Sequence, residues 1–312
     1  MHSRQRLSDR MMGVTSLALV PALGLLLGAP LASAEGVAAP AAQPAAQAGT
    51  ELPVRLIPNV PKNAEAYYGP DSLHVIAQTQ DSAALKAEGR DSGALTYTFT
   101  DLGTDVKRLT NNKYYEAEVS VSPNGEWIVF GRQIDGKMDL WRMRPDGSDE
   151  KQLTFTDDWQ EGAPFYLPDN ETILHRAWKR SEYGKVRPTP MTVFTIKNDG
   201  SEHIERTFDH AMNWAPYPAP DGRHYVFVRI VENNNWEIFL GDLAGGEPKR
   251  LTFNPGFDGF PSLSPDGKKM LFARSTGGGF MSNLYTHVMD VSSLNLGPEN
   301  WKGVPAISPP RQ

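Results

Sequence analysis

The chain has no cysteine at any of its 312 positions. A disulfide scaffold, a thiol nucleophile, a zinc–thiolate site and a lipid-modified N-terminal cysteine are therefore excluded. Positive charge is also scarce: 31 Lys and Arg face 37 Asp and Glu, a net charge of −6. Nucleic-acid binding needs a basic surface for phosphate contacts, so no nucleic-acid partner is expected. No segment carries the long periodicity of an amphipathic helix, which argues against a doubly wound sheet, a TIM barrel or an α/β-hydrolase domain. The Gly-x-Ser-x-Gly pattern of a hydrolase nucleophile is missing too.

What is present begins with an address. Arg4, Arg6 and Arg10 precede an apolar run from Val14 to Leu27, and Ala32-Ser33-Ala34 is a small-x-small cleavage site. Residues 1–34 read as a Sec-type signal peptide cut after Ala34, which leaves a mature charge of about −8. No later apolar run is long enough to span a bilayer, so no transmembrane segment is expected after cleavage. The protein is expected to be periplasmic or secreted. Residues 35–50, rich in Ala, Pro and Gln, lack the bulky side chains that would order them and read as a linker.

Beyond the linker the sequence repeats. Gly69-Pro70-Asp71-Ser72, Ser122-Pro123-Asn124-Gly125, Leu167-Pro168-Asp169-Asn170, Ala219-Pro220-Asp221-Gly222 and Ser264-Pro265-Asp266-Gly267 recur with prolines 53, 45, 52 and 45 residues apart. Pro presets the first turn position, Asp or Asn bonds nearby backbone, and Gly supplies the left-handed residue that closes a short hairpin. Ser72 fits that last role least well. A continuous apolar strand follows each turn, as in Trp127-Ile128-Val129-Phe130, Tyr225-Val226-Phe227-Val228 and Met270-Leu271-Phe272-Ala273. Unbroken apolar runs suit strands covered on both faces. A second hairpin with Asp-Gly or Gly-Gly follows, and units close on Arg108-Leu109-Thr110, Gln152-Leu153-Thr154, Arg206-Thr207-Phe208 and Arg250-Leu251-Thr252. Two tight turns and four strands per period describe an all-β propeller of four-stranded blades with five recognisable repeats, five- or six-bladed. The propeller is assigned to residues 51–297 and a C-terminal tail to 298–312. Leu52 to Ile57 is expected to add an outer strand to the last unit, which lacks a closing Leu-Thr.

These motifs together resemble the TolB-like propeller repeat. Asn63 to Tyr68, Tyr115 to Val119 and Phe257 to Ser262 are similar to the strand openings of stand-alone relatives in that repeat family. The resemblance covers about Glu65 to Leu294. It implies a propeller whose central channel mouth binds a partner. About 30 residues separate the signal from the first repeat, so the α/β domain that precedes the propeller in TolB is not expected here.

The loops leading into each innermost strand supply the candidate site: Tyr68, Tyr115, Glu116, Glu118, Trp159, Glu161, His210, Asn213, Trp214, Asp258 and Phe260. Converging on one face, they would form an acidic, aromatic funnel for a cation, a sugar or basic and aromatic groups of a partner. No catalytic residue is assigned. The expected function is an exported, non-enzymatic scaffold, a monomeric propeller that binds an envelope protein or glycan. The alternative is a metal-dependent carbohydrate-active enzyme similar to the oligogalacturonate lyases. That reading would place a divalent cation among Glu116, Glu161, His210 and Asp258; otherwise no cofactor is expected. A further feature is the basic stretch from His175 to Pro190, with Arg176, Lys179, Arg180, Lys185 and Arg187 around Trp178 and Tyr183. It could grip an anionic partner or serve as a solvated insertion.

Overall fold

A computed structural model describes residues 57–61, 63–71, 73–79, 82–88, 95–231, 235–275 and 284–307. The fold is a β-propeller of five blades. Blade one contains β1 (Asn63–Tyr68), β2 (His74–Thr79), β3 (Thr96–Thr100) and β4 (Lys107–Arg108). Blade two contains β5 (Tyr115–Val121), β6 (Ile128–Ile134), β7 (Lys137–Met143) and β8 (Lys151–Gln152). Blade three contains β9 (Trp159–Tyr166), β10 (Thr172–Lys179), β11 (Thr192–Lys197) and β12 (Ile204–Glu205). Blade four contains β13 (Trp214–Pro218), β14 (His224–Val231), β15 (Asn235–Asp242) and β16 (Lys249–Arg250). Blade five has three strands among the described residues, β17 (Asp258–Leu263), β18 (Lys269–Ser275) and β19 (Leu284–Asp290). A six-residue helix, α1 (Ser82–Ala87), lies between β2 and β3 and buries Leu85.

The turn motif works as its chemistry requires. Gly125, Asn170, Gly222 and Gly267 have φ of 74°, 61°, 64° and 66°. The Asp71 carboxylate accepts from the backbone N–H groups of Leu73 and His74, and Asp221 does the same for Arg223 and His224. The fourth residue of the first turn, Ser72, lies outside the described residues. The closing threonine has an equally local task. Thr110, Thr154, Thr207 and Thr252 each accept through Oγ1 from a third-strand N–H, those of Thr96, Leu140, Val193 and Ile238, at 2.9–3.0 Å. Each short fourth strand is pinned at its end by a side chain.

The core is distributed among the blade junctions. Ile76 and Leu109 of blade one pack with Val119, Ile128, Phe130 and Met143 of blade two. Val129, Leu140 and Leu153 then pack with Tyr166, Ile173 and Ile196 of blade three. Leu167, Leu174 and Val193 pack with Tyr225, Phe227, Phe239 and Leu243 of blade four. The second strands β6 and β10 thus each serve two junctions, which explains their continuous apolar runs, whereas Leu271 in the run of β18 is 49% exposed and that strand is not covered along both faces.

Two ends of the chain complete the repeat pattern. A Cβ at Gly147 would meet the carbonyl of Leu109, and one at Gly200 the carbonyl of Leu153; one at Gly103 would overlap the Pro58 carbonyl. Pro58 thus stands toward blade one as a closing strand stands toward the next blade. Ile57 and Val60 pack on Val75, Ala77 and Phe99. Leu52 to Leu56 lie outside the described residues. At the other end, residues 291–305 form a strap. Leu296 is buried and accepts from the Asp221 N–H at 2.9 Å, and a Cβ at Gly222 would overlap the Trp301 ring. Arg206 stands where other blades carry leucine, and its Nη1 donates to the Leu243 and Pro305 carbonyls. Residues 298–305, assigned to the tail by sequence, therefore cover blade four and reach blade three.

Candidate functional site

The first strands contact one another from blade to blade and line the axis. All five share one distortion. The register slips between Ala64 and Tyr67, Ala117 and Ser120, Gly162 and Phe165, Trp214 and Tyr217, and Gly259 and Ser262. Two residues face one there, the definition of a β-bulge. The bulge residues Glu118, Ala163, Ala215 and Phe260 have φ of 58°, 49°, 50° and 53°. Side chains with a Cβ held in the left-handed region carry strain, which recurs here at one level of the channel in successive blades.

Beyond the bulges the channel is filled by aromatic rings. Phe165 lies 6.0 Å from Tyr67 and 5.0 Å from Tyr217, centroid to centroid, joining blades one, three and four. At the bulge level Glu118 reaches from blade two to blade three. Its carboxylate accepts from Arg176 Nη2 at 2.7 Å and from the Ala163 N–H at 2.8 Å. Gly162 makes this possible, because a Cβ there would stand 2.6 Å from Arg176 Nη1 and overlap the Glu118 carboxylate. Phe260 is 44% exposed and packs edge-on against Trp214 at 5.1 Å.

The remaining sequence candidates do not share this space. Glu116, Glu161, Asn213 and Asp258 occupy one equivalent position, two residues before the bulge residue, and all are buried. They lie in the blade junctions. Glu116 accepts from Arg132 Nε and Nη2 at 2.9 and 2.6 Å and from the Thr110 hydroxyl. Asp258 is held by Arg274 at 2.7–2.8 Å, and Asn213 accepts from Arg229. Blade three has Ala177 where blades two, four and five carry this arginine, opposite Glu161 in the register. Glu161 accepts from Thr156 Oγ1 at 2.6 Å, and its Oε2 has no partner. Burial, with the Asp139 charge adding to it, raises its pKa to about 7 against the Thr156 bond and the Arg176 charge. Burial likewise raises Asp139.

Trp214 is buried among Trp236, Phe257 and Phe260. Trp159 packs on Phe194 and under the Lys179 ammonium. His210 is exposed, 3.8 Å from Glu182. Tyr115 is half-buried at the start of β5, and the backbone of Tyr68 pairs with Val75. Among the described residues no group of three or more His, Asp or Glu could hold a metal ion. The basic stretch divides. His175 and Arg176 are buried in β10, whereas Arg180, Lys185 and Arg187 are exposed beside Tyr183 and Val186.

One surface feature escaped the sequence reading. Phe155, Phe208 and Phe253 follow the closing threonines of blades two, three and four and are 75%, 45% and 70% exposed. They stand on the face where the first strands begin, the mouth face, which also carries the Arg180–Arg187 loop. The signal was legible: the triplets Leu153-Thr154-Phe155, Arg206-Thr207-Phe208 and Leu251-Thr252-Phe253 repeat with the blade period.

No family model matches the chain. An uncharacterized protein of Agrobacterium fabrum is 27% identical over 139 residues, 41% of this chain and 44% of that protein. An uncharacterized peptidase of Bacillus subtilis is 26% identical over 116 residues, 37% of this chain and 17% of the peptidase. The match thus spans less than half the length of either relative. Among solved structures, a putative TolB from Agrobacterium tumefaciens aligns with a TM-score of 0.57 at 16% identity, covering 72% of this chain and 76% of that one. TolB from Acinetobacter baumannii gives 0.57 at 17% identity, with 74% and 52% covered. The fold is that of the TolB-like β-propellers.

Proposed function

We propose that this propeller is an exported scaffold that docks an envelope protein on its mouth face. The observation that carries this reading is the row of exposed phenylalanines at equivalent positions in successive blades. Large aromatic side chains are the usual anchors of protein interfaces, and a repeated, rimmed apolar surface marks an interaction site. The neighbouring loop adds Arg180, Lys185 and Arg187, so the partner presents apolar groups beside acidic ones. Export follows from the signal-like residues 1–34, which lie outside the described residues. No described helix is long and apolar enough to cross a membrane.

Site-specific photo-crosslinking in the native host tests the reading. A crosslinker at Phe155 or Phe253 is expected to trap one protein in stoichiometric yield. The same group at Leu102, exposed at the opposite face, should trap none. Equal labelling from both faces, or a glycan adduct in place of a protein, would overturn it.

A further inference from the structure

Arg176 is the least satisfied charge in the channel wall. Its side chain is 1% exposed, yet only Nη2 has a hydrogen-bond partner, Glu118; Nε and Nη1 have none. A guanidinium has five N–H donors, and leaving several unpaired in a buried site is costly. The Trp178 ring lies 4.5 Å from its Cζ, which fixes its plane but accepts no hydrogen bond in the guanidinium plane. Glycine at position 162 keeps the space in front of Nη1 clear.

Glu118 fills this space in a particular way. Its carboxylate takes one charged N–H from Arg176 and one backbone N–H from Ala163, the pair of donors that any carboxylate would use. It reaches them from another blade, on a residue held at positive φ, and remains 21% exposed toward the channel. Apolar groups stand beside it in three blades, Ala163 and Ala215 at the same level and exposed Phe260, with the Tyr67, Phe165 and Tyr217 rings beyond; in blade one the same register position is Glu65.

We propose that Arg176 and the Ala163 N–H form a carboxylate-binding site in the channel, which Glu118 occupies in the free protein and yields to a small organic acid with an apolar body. Glu118 is a built-in competitor: it prevents an empty cationic hole and sets a threshold that carboxylates without a matching apolar body do not cross. The aromatic floor selects acids whose carbon skeleton replaces water against Phe165 and Tyr217. This site is independent of the mouth-face rim, since it takes a small molecule inside the channel.

The probe is phenylacetate, with 2-phenylethanol as its neutral counterpart. Titration of the whole protein is followed by calorimetry and by the nitrogen-15 resonances of the arginine side chains. Wild type is expected to bind phenylacetate weakly, with one Nε–H resonance shifting. Glu118→Gln removes the competing charge and is expected to tighten binding at least tenfold. Arg176→Lys should abolish the shift, and 2-phenylethanol should bind neither protein. If Glu118→Gln binds no tighter than wild type, or if binding survives in Arg176→Lys, the proposal fails. Should Glu118→Gln not fold, the wild-type resonance and its dependence on Arg176 decide alone: no shifted arginine signal at saturating phenylacetate overturns the site.

Discussion

Blades two and three place a glutamate at the same position of the first strand and treat it in opposite ways. Glu116 is enclosed by Arg132, Thr96, Thr110 and Asn112, and Arg132 continues to Glu150 at 2.7 Å. Glu161 has Thr156, an unpartnered oxygen, a second buried carboxyl in Asp139, and alanine where the arginine should stand. Equivalent backbone positions therefore do not imply equivalent chemistry. One residue on the neighbouring strand decides whether a buried acid is an ion-pair member or a proton-holding group.

The largest effect is expected where the pair is complete. Arg132→Ala leaves Glu116 buried and uncompensated, and removing one partner of such a pair costs about 3–5 kcal/mol. Urea unfolding measures it. The double change Arg132→Met with Glu116→Leu is expected to recover most of that loss, because two apolar groups of similar volume leave nothing unpaired. A double variant no more stable than the single one would show that the arginine acts through its stacking on Phe130 and Trp141 instead.

Glu161→Gln should act in the opposite direction to a Glu116 substitution made with Arg132 in place. The Glu161 carboxyl titrates at about 7 in the folded chain, against an ordinary 4.5. Between those values the folded protein holds a proton that the unfolded chain has released. Stability therefore falls as pH rises through that window, by up to about 3 kcal/mol. Glu161→Gln is expected to flatten this alkaline limb and to be more stable than wild type at pH 8, read from thermal midpoints across pH. The acid limb has another source in the same blade. Burial holds His175 well below 6.5, with His203 at 3.1 Å, so the unfolded chain takes up protons there that the folded one refuses. Stability then falls as pH drops below about 6.5. His175→Phe should relieve that limb and leave the alkaline one unchanged.

Gly222→Ala compares blade four with blade two at the turn face. Both glycines have positive φ, but a Cβ at Gly125 meets Pro70 at 3.1 Å, whereas one at Gly222 overlaps the Trp301 ring. We expect Gly222→Ala to cost about 2 kcal/mol more than Gly125→Ala, from overpacking. In a Trp301→Ala background the difference should vanish, since the two sites share one contact.

The turns, strands and junction cores were legible because each depends on local chemistry: Pro-Asp-Gly fixes a hairpin, and an unbroken Val-Phe run needs two covered faces. The buried acids were harder. Sequence set Glu116, Glu161 and Asp258 in the loops entering the first strands, whereas they lie within those strands, near their starts. It could not show that these side chains turn into the junctions, because the bulge residue two positions later shifts the register and presents Glu118 and Phe260 instead. The strap escaped for a related reason. Its anchors, Leu296, Trp301 and the Pro305 carbonyl, carry no periodic pattern, and Arg206 in a leucine slot makes sense only with the strap in place. Phe155, Phe208 and Phe253 were visible in sequence but silent, since a phenylalanine after a strand is ordinarily core.

The smallest stability effect is expected at those phenylalanines, and that is what makes them informative. Phe155→Ser and Phe253→Ser remove rings that are mostly in water, so each should change unfolding free energy by no more than about 0.5 kcal/mol. Phe208 is less exposed and lies beside Asp209, which is paired with Arg229, so Phe208→Ser should cost somewhat more. If the rings exist to dock a partner, the double variant Phe155→Ser, Phe253→Ser keeps its thermal midpoint and loses the crosslinked complex. If they instead close the mouth of the junctions in solution, the midpoint falls and hydrogen exchange rises at the Leu140 and Ile238 amides, which donate to the Thr154 and Thr252 hydroxyls just behind the rings. A stable double variant that still forms the complex would remove the rim from the docking surface and leave the Arg180–Arg187 loop as the feature to test on that face.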